Sequence, residues 1–137
     1  MQKKRTFSKD STTLSLLEMD NKAVHLEFTG DDTSSDGGLL LLREVENQVG
    51  VIKAFSEAIE DHRDPRYVKH ALAELVLQRI GQIACGYEDA DDADTLRDDP
   101  VFKMFAGRKP ESAAALASQP THSRLENAIS RKSLYKL

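Results

Sequence analysis

Asp64-Pro65-Arg66-Tyr67-Val68-Lys69-His70-Ala71-Leu72-Ala73-Glu74-Leu75-Val76-Leu77-Gln78-Arg79-Ile80-Gly81-Gln82-Ile83-Ala84-Cys85-Gly86 is the stretch on which the fold turns. Asp64 offers a carboxylate to the amides of a first helical turn, and proline costs nothing at the first helical position, where an N–H has no partner inside the helix. Beyond it, Val68, Ala71, Leu72, Leu75, Val76, Ile80, Ile83 and Ala84 keep the three-four spacing of an amphipathic helix as far as Gly86. The pattern predicts a central helix of roughly 20 residues, about 30 Å long.

On the N-terminal side, Val51, Ile52, Phe55, Ala58 and Ile59 share one helical face, and Asp61-His62-Arg63 ends that helix. Before it, Asp36 is placed to cap a helix carrying Leu39 to Leu42 and Val45, with Gly50 at its end. Val24, Leu26 and Phe28 alternate with His25 and Glu27, the period of a half-buried strand. Residues 1–20 show neither period and read as a flexible basic tail. On the C-terminal side, Asp99-Pro100 repeats the start signal ahead of Val101, Phe102, Met104 and Phe105. Pro110-Glu111 opens a further helix ending near Ser118, and a last one begins around Thr121, with Ser123 and Glu126 spaced as a capping box. The expected class is mainly α: a compact helical domain over 21–137, with one short N-terminal β-strand or hairpin and a helix-turn-helix-like pair over 110–132.

The net charge of −4 conceals a segregation of charge along the 137 residues. Residues 1–9 hold four basic groups and no acid, residues 10–100 hold eight basic and 21 acidic groups, and residues 101–137 hold seven basic and two acidic. Basic ends suit an anionic partner, and an acidic middle repels one. The single Cys85 excludes an internal disulfide and lacks the paired thiols of a zinc site, which points to a reducing cytoplasm. No apolar run approaches the roughly 20 residues of a membrane span, so no membrane partner is expected.

Three constellations bear on chemistry. Glu88, Asp89, Asp91, Asp92, Asp94, Asp98 and Asp99 form a dense carboxylate cluster, but it lacks the glycine and closing glutamate of a calcium loop. Nuclease-type ligands converge from separate elements, so the expectation is helix capping and solvation, with no metal site and no catalytic residue in this chain. A small metal-dependent nuclease built on this run is the weakest reading. Lys3, Lys4, Arg5 and Lys9 make a short basic arm. The two helices flanking Ser118-Gln119-Pro120 have the outline of a helix-turn-helix. In that geometry the second helix presents Thr121, His122, Ser123 and Arg124 to a major groove, with Arg131 and Lys132 placed for phosphates.

Several words in this order resemble one family: Asp36-Gly37-Gly38-Leu39-Leu40-Leu41-Leu42-Arg43-Glu44, then Asp61-His62-Arg63-Asp64, then Gly86-Tyr87-Glu88-Asp89-Ala90-Asp91-Asp92-Ala93-Asp94. Leu96-Arg97-Asp98-Asp99-Pro100 and Ser118-Gln119-Pro120-Thr121-His122-Ser123-Arg124-Leu125-Glu126-Asn127 complete the set. They resemble the N-terminal region of bacterial insertion-sequence transposases with a group 1 DDE domain. The resemblance implies enzymes that cut and join DNA with three acidic residues holding divalent metal in a ribonuclease H-like core. That core is expected beyond the end of this sequence, so the resemblance implies a truncated, non-catalytic front piece, with Mg2+ expected only of the full-length enzyme. It also implies element-end DNA as partner, together with the catalytic part or a full-length transposase. Arg97, Arg124 and the basic C-terminal segment are the implied DNA contacts. The alternatives are an autonomous DNA-binding or interaction module that regulates transposition, or an inert remnant.

Overall fold

A computed structural model describes residues 13–19, 22–27 and 36–129. The chain divides into two units, 1–34 and 35–137. In the first, β1 (Thr13–Met19) pairs antiparallel with β2 (Lys22–Glu27). Opposed pairs run Thr13 to Glu27, Leu14 to Leu26 and Ser15 to His25, then resume at Glu18 to Ala23 after a register shift. The expected strand thus forms as half of a hairpin, whereas residues 13–19 of the expected tail form its other strand. The shift hides this strand from a period-two reading, because an extra residue in one strand reverses the alternation part-way along. Residues 1–12, with the basic arm, lie outside the described residues.

The second unit is helical: α1 (Leu39–Val49), α2 (Val51–Ala58), α3 (Leu72–Ala84), α4 (Asp92–Leu96), α5 (Pro100–Phe105) and α6 (Gln119–Ala128). Gly50 closes α1 in the left-handed region at φ 72° and leads straight into α2. Asp36 does not cap α1 with its side chain, since the turn starts through backbone bonds such as Leu39 N to Asp36 O at 2.9 Å. Its carboxylate instead accepts the Tyr87 hydroxyl at 3.2 Å. The amides at the start of α2 are met by the buried Glu46 of α1, whose Oε2 and Oε1 accept Ile52 N and Lys53 N, each at 2.9 Å.

The central helix is shorter than its pattern. Asp64 does cap, accepting Arg66 N at 3.0 Å, but what it caps is a single 3-10 turn, Pro65–Tyr67. Val68 is extended, and α3 starts only at Leu72, so its 13 residues run about 20 Å. Arg63 holds this break by donating from Nη1 to the His70 carbonyl at 3.0 Å. A guanidinium seven residues upstream supplies what a continuous helix would have supplied from within.

The core gathers on α3. Val76 meets Leu39 of α1, Ile52 of α2, Leu96 of α4 and Phe102 and Phe105 of α5 in one apolar cluster that also takes in Leu116, and its neighbour Leu75 is buried too. α3 packs on α2, α5 and α6, and α1 packs on α2 and α5. Gly81 permits the closest approach: a Cβ there would stand 2.9 Å from Cδ1 and Cε1 of Phe105. Tyr87 meets Phe102 edge-on with centroids 6.1 Å apart.

The expected helix over Pro110–Ser118 is absent. This segment is irregular, yet Leu116 and Ala117 within it are buried. Gln78 of α3, itself fully buried, donates Nε2 to the Ala117 carbonyl at 2.9 Å and accepts Ala117 N at Oε1, 3.0 Å. Arg108 Nη1 donates to the Ala115 carbonyl at 3.0 Å, and its Nη2 reaches Glu74. These side chains satisfy backbone that a helix would have satisfied itself. The run of Ala113, Ala114 and Ala115 has helical propensity, and tertiary contacts override it.

Candidate nucleic-acid interface

The absent helix removes one half of the expected helix-turn-helix and leaves α6 as its surviving part. α6 starts two residues before the expected position, after Ser118, with Pro120 in its first turn. The amide of Gln119 donates to Asp94 Oδ1 at 3.1 Å, a cap supplied from α4. The Leu116 amide donates to the Arg97 carbonyl at 2.9 Å, a second tie between the end of α4 and the chain leading into α6. The expected capping box does not form: Glu126 instead pairs with Arg79 of α3, Nε to Oε1 at 2.6 Å. Arg79 also donates to the carbonyls of Tyr87 and Glu88 at 3.3 and 2.7 Å, joining α6, α3 and the start of the acidic run.

This anchoring sorts the candidate residues by face. His122 is fully buried and neither ring nitrogen has a partner, so it offers nothing to a groove. Burial, seconded by the nearby Arg79 charge, pushes its pKa down to about 4, while Glu126 pulls weakly the other way. It is a neutral interior side chain at pH 7, and the expectation that it contacts DNA is corrected. Arg124 is exposed, two residues on and therefore on the outer side of α6. Thr121 and Ser123 are half-buried; Ser123 Oγ accepts Gln119 Nε2 at 3.0 Å, and the Thr121 hydroxyl lies 3.5 Å from that of Ser118. Arg97 is half-buried, with its Nε enclosed and unpartnered. Arg131 and Lys132 lie outside the described residues.

The carboxylate cluster is engaged locally. Asp89 accepts Asp91 N at 3.1 Å, Asp94 caps α6, Asp99 accepts Val101 N and Phe102 N at 2.8 and 3.0 Å, and Asp98 lies 3.6 Å from Lys103 Nζ. Among the described residues no three His, Cys, Asp or Glu side chains come together in a metal-holding group. Cys85 is half-buried at the end of α3, and burial together with the Asp36 carboxylate holds its thiol above the usual range.

A sequence model of the family described as transposase DDE domain group 1 matches residues 17–137. The chain belongs to this family. The words quoted above fall inside that match, and membership ties the chain to transposition and implies interaction with DNA. No curated protein and no solved structure gave a match. Among the described residues, no helix of this transposase-family chain is long and apolar enough to cross a membrane.

The residues that organise the interface without being foreseen are Gln78, Arg79, Glu74 and Arg108. One signal was available: Gln78 sits three residues after Leu75 on the apolar face of α3, where an amide has to find a partner.

Proposed function

We propose that this chain recognises DNA at the ends of an insertion element through the outer face of α6, and that it does not itself perform the cutting and joining chemistry. The observation that carries the reading is the two-sidedness of α6. Its inner side is fixed by buried His122 and the Arg79–Glu126 pair, which leaves Arg124 exposed on a positioned helix. Arg97 sits at the end of α4, tied to the same segment, with Thr121 and Ser123 at the margin. Arg131 and Lys132 extend the basic character along the sequence. We assign Mg2+ to the full-length enzyme and not to this chain, since Asp89, Asp94 and Asp99 of its carboxylate cluster accept backbone amides. Partners beyond DNA are other transposase chains carrying the catalytic acids.

The test is salt-titrated binding of the purified chain to duplex DNA bearing the terminal sequences of its element, against scrambled duplex. Preferential binding to the ends, weakened roughly tenfold by Arg124→Ala, is expected. Equal affinity for both duplexes would overturn the reading. A cluster of buried side chains from α1 to α5 and Leu116 forms within residues 36–129, which favours an additional regulatory reading in which the chain occupies element ends without cutting them. Reduced transposition on overexpression of the chain is the expected sign of that role.

A further inference from the structure

The segment 61–70 carries a surface that α6 leaves unused. Tyr67 is 80% exposed, the highest value among the exposed large apolar and aromatic side chains of the described residues. A lone exposed aromatic is ordinary. This one stands beside a cation: the guanidinium carbon of Arg66 lies 5.7 Å from the ring centroid, and exposed Lys69 follows two residues later.

The segment is also held in shape. Asp64 accepts Arg66 N at 3.0 Å and Arg66 Nη2 at 2.6 Å, so the side chain beside the ring is fixed from below. Arg63 closes the base of the turn, with Nε and Nη2 on Asp61 at 2.7 Å each and Nη1 on the His70 carbonyl. Pre-ordering of this kind removes part of the entropy that binding would otherwise cost.

Charge narrows the choice of ligand. Arg63, Arg66 and Lys69 are matched by Glu60, Asp61 and Asp64, so the segment is not a strong electrostatic trap for a phosphate backbone. A rigid ring flanked by a cation suits a flat aromatic partner, and every nucleobase presents such a face once it is unstacked. In duplex DNA those faces are covered by neighbouring bases. We propose that this turn is a second nucleic-acid contact, at which Tyr67 stacks on an unpaired base of single-stranded DNA, Arg66 backs the ring, and Lys69 meets one adjoining phosphate. The choice of DNA rests on the proposed function above; the residues and the form of DNA are separate from it.

The experiment is fluorescence anisotropy of the full chain with labelled oligothymidylate, run beside the element-end duplex. Tyr67→Ala is expected to weaken oligothymidylate binding roughly tenfold, and Tyr67→Phe to keep it. The logarithm of the binding constant should fall with log salt at a slope of about −0.7, as for one neutralised phosphate on a single strand. Arg124→Ala should leave this binding unchanged while reducing duplex binding, so the two sites fail separately. The proposal is overturned if the wild-type chain does not bind oligothymidylate, if Tyr67→Ala binds it as the wild type does, or if the slope is several times steeper. Tyr67 is exposed enough that its replacement should leave the thermal melt in place, which the same samples check.

Discussion

Two irregular stretches, 61–70 and 107–118, are held by opposite means. The first is largely exposed and secured mainly by neighbours two residues apart: Arg63 on Asp61 and Arg66 on Asp64. The second buries Leu116 and Ala117, and its backbone is satisfied from 39 residues away by Gln78, with Arg108 braced on Glu74. Water can replace a partner in the first stretch. In the second it cannot, so the side chains that serve it carry far more of the stability.

The largest expected effect tests this contrast directly. Gln78→Ala leaves the N–H and C=O of Ala117 buried without partners and should cost about 4 kcal/mol in urea unfolding, from one to three per orphaned group. A loss below about 1 kcal/mol would mean that the 107–118 stretch finds other partners and is not held from α3.

The next effect comes from acid. The imidazole of His122, beside the buried stretch, protonates near pH 6.5 when unfolded but only near 4 when folded. Between those values the unfolded chain binds more protons, so stability falls as pH drops through that window, by up to about 3 kcal/mol. His122→Leu should flatten this part of a stability-against-pH curve. Asp61 in the exposed stretch shifts stability in the same direction but in a lower pH window. Its hydrogen bond from Arg63 holds the carboxyl below its usual range, so its contribution persists through that window and disappears only at lower pH.

The smallest effect closes the comparison. Arg63→Ala should cost less than about 1 kcal/mol of global stability, because its pair with Asp61 is one-third exposed. A loss as large as that of Gln78→Ala would abolish the distinction between the two stretches.

The same distinction explains what the sequence made legible. Local signals held up where no distant group competed: Gly50 ends α1, Asp99-Pro100 starts α5, and Asp64 caps the turn after it, whereas the carboxylates of Asp36 and Glu126 are taken by Tyr87 and Arg79 and cap nothing as expected. Features set from a distance did not. The spacing from Val68 to Ala71 reads as helix, yet Arg108 reaches His70 from 38 residues away, Arg63 holds the His70 carbonyl, and α3 starts only at Leu72. Alanines 113–115 read as helix, yet Gln78 and Arg108 hold the segment irregular. At the candidate interface, residue type marked Arg124 and His122 equally, and only the packing of α6 on α3 separated the outer from the inner. The acidic run was legible in kind, as caps, but not in address: that Asp94 serves α6 follows from the fold alone.

The Glu46 carboxylate, clasping Ile52 and Lys53 across Gly50, carries a consequence for how the protein is made. All its partners lie within seven residues, so the corner between α1 and α2 needs nothing that is synthesised later. Closing so short a loop costs little entropy. On a ribosome that delivers the chain from its N-terminus, every residue of this clasp is made before any residue of α3, the helix that packs on α2. The clasp of Gln78, by contrast, has to wait for Ala117, 39 residues later in the chain.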